Sequence, residues 1–132
     1  MELNLQPGLT GIFEIVVADE HTAPRVGSGM VHVLATPVMI NLIEAAALKA
    51  IEHLLQPGYQ SLGTHLDVHH VAATPVGMKA RATAEVTKVD GRTVTFKVEA
   101  RDEKDLIGHG THVRVVVNVE KFDARVRKKL GR

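Results

Sequence analysis

The chain has no cysteine and no tryptophan, and aromatic residues make up only 3% of its 132 positions. Without cysteine there is no disulfide framework, no thiolate nucleophile and no cysteine-ligated zinc. So few aromatics offer no stacking platform for single-stranded nucleic acid. Neither sign of charge dominates: 16 basic side chains stand against 15 acidic ones, a formal net charge of +1. That balance is too even for a protein held to nucleic acid by charge. The longest apolar stretch is interrupted by Glu44 and is no membrane span. The opening, Met1 to Gly8, lacks the basic end and apolar run of a secretory leader, so a cytoplasmic protein is expected. What is present is 45% hydrophobic and 23% charged residues, the balance of a globular protein. One domain over residues 1–132 is expected, with a charged tail from about residue 120 that is a solvated end or a short surface helix.

Proline and glycine divide the chain into one helix and several strands. Gly11 to Val17 reads as a first strand. Residues 18–35 read as loop and irregular turns; Gly27-Ser28-Gly29 lacks the strand, turn and helix that a nucleotide-phosphate loop needs. Thr36-Pro37 starts a helix, with Thr36 as cap and Pro37 at the first helical position. The helix runs to about Leu55 and stops at Gln56-Pro57-Gly58, a length of roughly 28 Å. Apolar residues cover most of its circumference, which predicts burial on several sides, with only Lys49, Glu52 and His53 wet.

After the helix the period changes to two. Leu66, Val68 and His70 share one face of a strand, while His65, Asp67 and His69 share the other. Lys79 to Val89 and Thr93 to Arg101 alternate on either side of the hairpin signal Asp90-Gly91. Leu106 to Val119 is the last long strand, where Gly108 and Gly110 mark a bulge or a close approach. One long buried helix followed by antiparallel strands requires a sheet that curls around the helix. The expected class is therefore α+β with the outline of the hotdog fold.

Three residues carry candidate chemistry. Glu44 is the one charged side chain in the most apolar part of the helix. It either reaches solvent or a subunit interface at the helix edge, or serves as a carboxylate in a pocket. His70 is an imidazole on an inward face, a satisfied core residue or a general acid and base. Thr36 is explained by its cap role alone. Beside a helix start, with a carboxylate and an imidazole near, its hydroxyl also completes the parts needed for acyl transfer or hydrolysis. His109 and His112 lie three apart on a strand, hence on opposite faces, and His65 and His69 lack a third ligand; no metal site is expected.

The runs Ala35 to Met39, Leu42-Ile43-Glu44, Gly63 to Met78, Val89 to Arg92 and Asp105 to His112 together resemble hotdog-fold acyl-CoA thioesterases of the fluoroacetyl-CoA thioesterase type. The resemblance extends from about residue 7 to 119 and is most specific around His70. It implies hydrolysis of a small acyl-CoA thioester by a Thr, Glu, His group at Thr36, Glu44 and His70. It also implies a substrate contact at Gly63 and an arginine near the catalytic group at Arg114. Coenzyme A enters as part of the substrate and no other cofactor is implied, while homodimers joined edge to edge, with sites near the interface, are. For the coenzyme A phosphates the basic candidates are Lys79, Arg81 and the tail. One departure stands out: the family's aromatic lid over the acyl pocket has no counterpart in Val26 to Leu34, where Met30 and Val31 occupy the neighbourhood. A missing rigid ring admits a different short acyl group and leaves thioester hydrolysis intact. Two other readings of the same residues are a hotdog hydratase or dehydratase acting on acyl-CoA, and a non-catalytic acyl-CoA binding module.

Overall fold

A computed structural model describes residues 3–131; Met1, Glu2 and Arg132, which bound the expected domain, lie outside the described residues. Strand β1 (Thr10–Val16) is followed by a 3-10 turn (Asp19–His21) and a single helical turn, α1 (Ala23–Val26). The long helix α2 (Thr36–Ile51) continues as a 3-10 turn (Glu52–Leu54). Four strands follow: β2 (Tyr59–His70), β3 (Lys79–Asp90), β4 (Thr93–Asp102) and β5 (Leu106–Asn118). They form one antiparallel sheet with β1, in the order β1-β3-β4-β5-β2. This curved sheet against one long helix is the expected α+β hotdog arrangement. The charged tail folds as α3 (Val119–Arg127), capped by the Asn118 side chain, which accepts from Lys121 N–H at 3.0 Å.

The helix stays near the sheet because small residues let it. Ala80, Ala82 and Ala84 of β3 are buried beneath it. A Cβ on Gly11 of β1 would overlap the carbonyl oxygen of Ala46, so any larger residue there would push strand and helix apart. The buried positions of α2 are Met39, Leu42, Ile43, Ala46, Ala47, Ala50 and Ile51. These steps of three and four make a single stripe. The expectation of burial on several sides is thus corrected. The sheet covers one stripe, Val38, Ile40, Ala45 and Leu48 are half-buried, and Asn41 is exposed.

The two edges of the sheet are unlike. β1 has 7 residues, whereas β2 has 12 and is exposed over most of its length. On its inner side β2 pairs with β5, and the register shifts between Gly63 and His65. That one-residue bulge at Thr64 decides which side chains face the helix. Before it, Ser61 and Gly63 lie opposite the inward-facing Val116 and Arg114; after it, Leu66, Val68 and His70 lie opposite His112, Gly110 and Gly108. With unbroken alternation Gly63 and His70 would point to opposite faces. Gly108 and Gly110 mark close approaches. A Cβ on Gly108 would meet the Met39 sulfur at 2.6 Å, and one on Gly110 would overlap the Asp67 carbonyl oxygen.

Candidate active site

The first cluster forms where α2 begins. Ala35, in extended conformation, is the residue that precedes the helix, and no side chain caps it. Thr36 is the first helical residue and Pro37 the second, which corrects the expected cap. The Thr36 hydroxyl is therefore not committed to the helix terminus. Its Oγ1 lies 2.7 Å from Nδ1 of His70, at the end of β2. Backbone bonds hold both partners: Leu34 N–H donates to the Thr74 carbonyl (2.9 Å), Ala35 N–H to that of His21 (2.9 Å), and Val71 N–H to that of Ile107 (2.7 Å). Burial lowers the basicity of His70 below the ordinary histidine value, with the Ala72 backbone pulling the other way. The imidazole is thus neutral near pH 7, with one ring nitrogen able to accept the Thr36 hydroxyl proton. Its Nε2 is buried and has no hydrogen-bond partner among the described residues.

A pocket of about 390 Å³ opens beside this pair, lined by Ser28, Gly29, Leu34, Thr36 and His70. At its lip Met30 is 89% exposed and Val31 69% exposed.

The second cluster lies further along α2. Glu44 Oε2 accepts from Nη1 of Arg114 at 3.2 Å. A Cβ on Gly63 would sit 2.6 Å from that same oxygen, so glycine makes the room the carboxylate occupies. Arg114 itself is 5% exposed. Besides its bond to Glu44 it donates from Nε to Ser61 Oγ (2.7 Å), from Nη2 to the Ser61 carbonyl (3.0 Å) and from Nη1 to His112 Nε2 (3.1 Å). Because Arg only donates, His112 Nε2 must accept. Its Nδ1–H then donates to the His65 carbonyl at 2.9 Å, which fixes the tautomer. Burial lowers the basicity of His112, and the Arg114 charge adds to the effect.

Glu52 closes the chain. Its Oε1 accepts from Ser61 N–H (2.8 Å) and Ser61 Oγ–H (2.7 Å), while Oε2 is buried without a hydrogen-bond partner among the described residues. The expectation that Glu52 is wet is corrected: it is a half-buried acceptor at the end of the helix.

The structure therefore brings Thr36 to His70, and Glu44 to Gly63 and Arg114. It does not join the two groups within one chain. Eight residues of helix separate Thr36 from Glu44, about 12 Å. Seven residues of strand separate Gly63 from His70, roughly 20 Å. Among the described residues no hydrogen bond links Glu44 to Thr36 or His70.

Sequence reasoning missed three members of the second cluster: Ser61, His112 and Glu52. For His112 a signal existed, because it stands two residues before Arg114 and so on the same face of β5. The same rule sends His109 outward, where its ring stacks on that of His69 at 5.4 Å. For Ser61 and Glu52 nothing in the linear pattern indicated a partner.

The chain matches the family model of fluoroacetyl-CoA-specific thioesterases, FlK, over residues 17–120. It is 47% identical over 97 residues to a fluoroacetyl-CoA thioesterase of Streptantibioticus cattleyicolor, covering 74% of this chain and 70% of that protein. A solved structure of the thioesterase FlK superposes with a TM-score of 0.90 at 38% identity, over 96% of this chain and 98% of that one. A variant of FlK solved in complex with acetyl-CoA superposes with a TM-score of 0.88 at 37% identity, over 95% and 98% of the two chains.

Proposed function

The chain belongs to the fluoroacetyl-CoA-specific thioesterase family, and from that membership we propose that it hydrolyses a short acyl-CoA thioester at a site completed by two copies of the chain. The observation that carries the reading is the 2.7 Å contact between the Thr36 hydroxyl and the neutral His70 imidazole at the mouth of a pocket. A nucleophile and a base within hydrogen-bond reach are the core of covalent acyl transfer.

In the proposed reaction His70 takes the Thr36 proton as Oγ1 attacks the thioester carbonyl. The tetrahedral adduct collapses, the carbon–sulfur bond breaks, and His70 returns the proton to the coenzyme A sulfur. Water then adds to the Thr36 ester, giving up a proton to His70 or to the Glu44 carboxylate; the bond between the acyl carbon and Thr36 Oγ1 breaks, that proton returns to Oγ1, and the free acid leaves. Backbone N–H groups near Gly63 or the start of α2 take the oxyanion charge.

The distance between the two clusters is the reason for the second copy. β2 is a long, exposed edge, and an exposed edge pairs readily with another chain. Two-fold antiparallel pairing of β2 with its copy, centred near Leu66 and Asp67, sets His70 of one copy across from Gly63 of the other. Glu44 and Arg114 of that other copy come with it. No metal or separate cofactor enters the reading; coenzyme A is part of the substrate. Of the basic candidates for its phosphates, Arg81 is already paired with Glu14 at 3.3 Å, and the exposed tail residues Arg125, Arg127, Lys128 and Lys129 are not needed elsewhere in this reading.

Thiol release from a panel of short, branched, aryl and halogenated acyl-CoAs tests the activity. Mass trapping of an acyl adduct on Thr36 supports covalent attack, while its absence during turnover favours water activated by Glu44. Reversible dehydration of a 3-hydroxyacyl-CoA without free thiol would instead identify a hydratase. Tight acyl-CoA binding without turnover would identify a binding module.

A further inference from the structure

We propose that Glu52 and Ser61 are positioning residues that set Arg114 and, through it, the Glu44 carboxylate; this rests on the reading of Glu44 as part of the acyl-CoA site. The bonds run in one direction. Arg114 Nε–H donates to Ser61 Oγ at 2.7 Å, and Ser61 Oγ–H donates to Glu52 Oε1 at 2.7 Å. A guanidinium has no acceptor, so the serine oxygen can receive Nε–H only while its own proton points elsewhere. Glu52 supplies that elsewhere. The same carboxylate oxygen also takes Ser61 N–H, so it fixes the backbone and the hydroxyl together. Bonds aligned head to tail strengthen one another in a low-dielectric interior.

At the other end of the guanidinium, Nη1 holds Glu44 Oε2 at 3.2 Å, above the space left by Gly63. Four of the five Arg114 N–H groups are thereby committed: two to Ser61, one to His112 and one to Glu44. The plane of the guanidinium, and so the position of the Glu44 oxygen, follows from anchors on β2 and on the turn after α2. Glu44 and Glu52 belong to one continuous helical run, eight residues apart. The run holds Arg114 directly with the first carboxylate, and through Ser61 with the second. Glu52 Oε2 is buried without a hydrogen-bond partner among the described residues, a cost to folding.

Steady-state thiol release with acetyl-CoA, or with the short acyl-CoA turned over fastest, tests the arrangement on the full-length chain. Glu52→Leu and Ser61→Ala are each expected to lower kcat about tenfold while KM stays within about twofold. The double variant should fall no lower than the worse single, because both cut the same chain of bonds. Glu52→Gln keeps the accepting oxygen and should restore kcat to within about threefold of the parent. Ser61→Ala carries the test if Glu52→Leu does not fold. A merely structural role predicts lower melting temperatures with kcat unchanged, and that result overturns the proposal. Wild-type kcat in Glu52→Leu and Ser61→Ala, with Glu44→Gln inactive, overturns the positioning role and leaves the site standing. Wild-type kcat in Glu44→Gln overturns both.

Discussion

Thr36 at the start of α2 and His70 at the end of β2 share one hydrogen bond, and Nε2 of the imidazole has no hydrogen-bond partner among the described residues. Further along the helix, Arg114 makes four hydrogen bonds, and its neighbours Ser61, His112 and Glu52 are tied into the same network. One region leaves a ring nitrogen uncommitted among the described residues and opens on a pocket. The other commits nearly all of them to holding a single carboxylate. Chemistry that breaks bonds needs the first kind of site; fixing a charge in place needs the second. Each kind of region stabilises its own geometry by different means, so each should fail differently when altered.

The comparison breaks most sharply at His70. His70→Ala removes the proposed base and is expected to lower kcat by about 10² to 10⁴ while the chain still melts cooperatively. A thiol-release assay beside a thermal melt checks this, and a loss under tenfold would contradict the role. Gly63→Ala tests the second cluster without touching a charge. Its Cβ would stand 2.6 Å from Glu44 Oε2, so the carboxylate must move. We expect a loss of about tenfold to a hundredfold in kcat. Unchanged kcat would show that the position of Glu44 is immaterial.

The half-buried His70 and the buried His112 should separate by pH. Burial holds His70 and His112 below their ordinary value of 6.5. For His70, kcat/KM should rise with pH to a plateau, with an inflection below 6.5 that reports the free enzyme. An inflection above 6.5 would reverse the assignment. For His112 the consequence is for stability. The unfolded chain takes the proton first, so the contribution is complete above 6.5 and is lost as pH falls below it. His112→Gln should flatten part of that slope in denaturant midpoints measured from pH 7 to 5. The smallest expected effect belongs to the pocket lip. Met30→Phe should change the ranking of acyl chains by a few-fold, about 1 kcal/mol, with kcat on the preferred one little altered. An unchanged ranking across the acyl-CoA panel would detach Met30 from specificity.

How far the sequence could be read varies along the chain. The strands from Lys79 to Asn118 were legible because alternation and the Asp90-Gly91 turn are local signals; in the structure Gly91 takes a positive φ of +60° in the turn between Asp90 and Thr93. Thr36 was misread as a cap because Thr before Pro is a common helix start, whereas the chain places Ala35 there and turns the hydroxyl to His70. Glu52 was misread as wet because the linear pattern carries no sign of a buried donor 9 residues away in Ser61.

Composition and periodicity by themselves determined one helix, a set of antiparallel strands and the inward face of His70, since these depend on neighbours a few residues apart. Motif resemblance added Gly63 and Arg114 to Thr36, Glu44 and His70 as expected members of a site. Only the tertiary structure decided that Thr64 bulges and puts Gly63 on the same face as His70. It alone tied Glu44 to Arg114 across 70 residues of chain, and left the two clusters apart within one copy. Such contacts depend on strand register and close backbone approach, and a one-residue shift in either is invisible in the order of the residues.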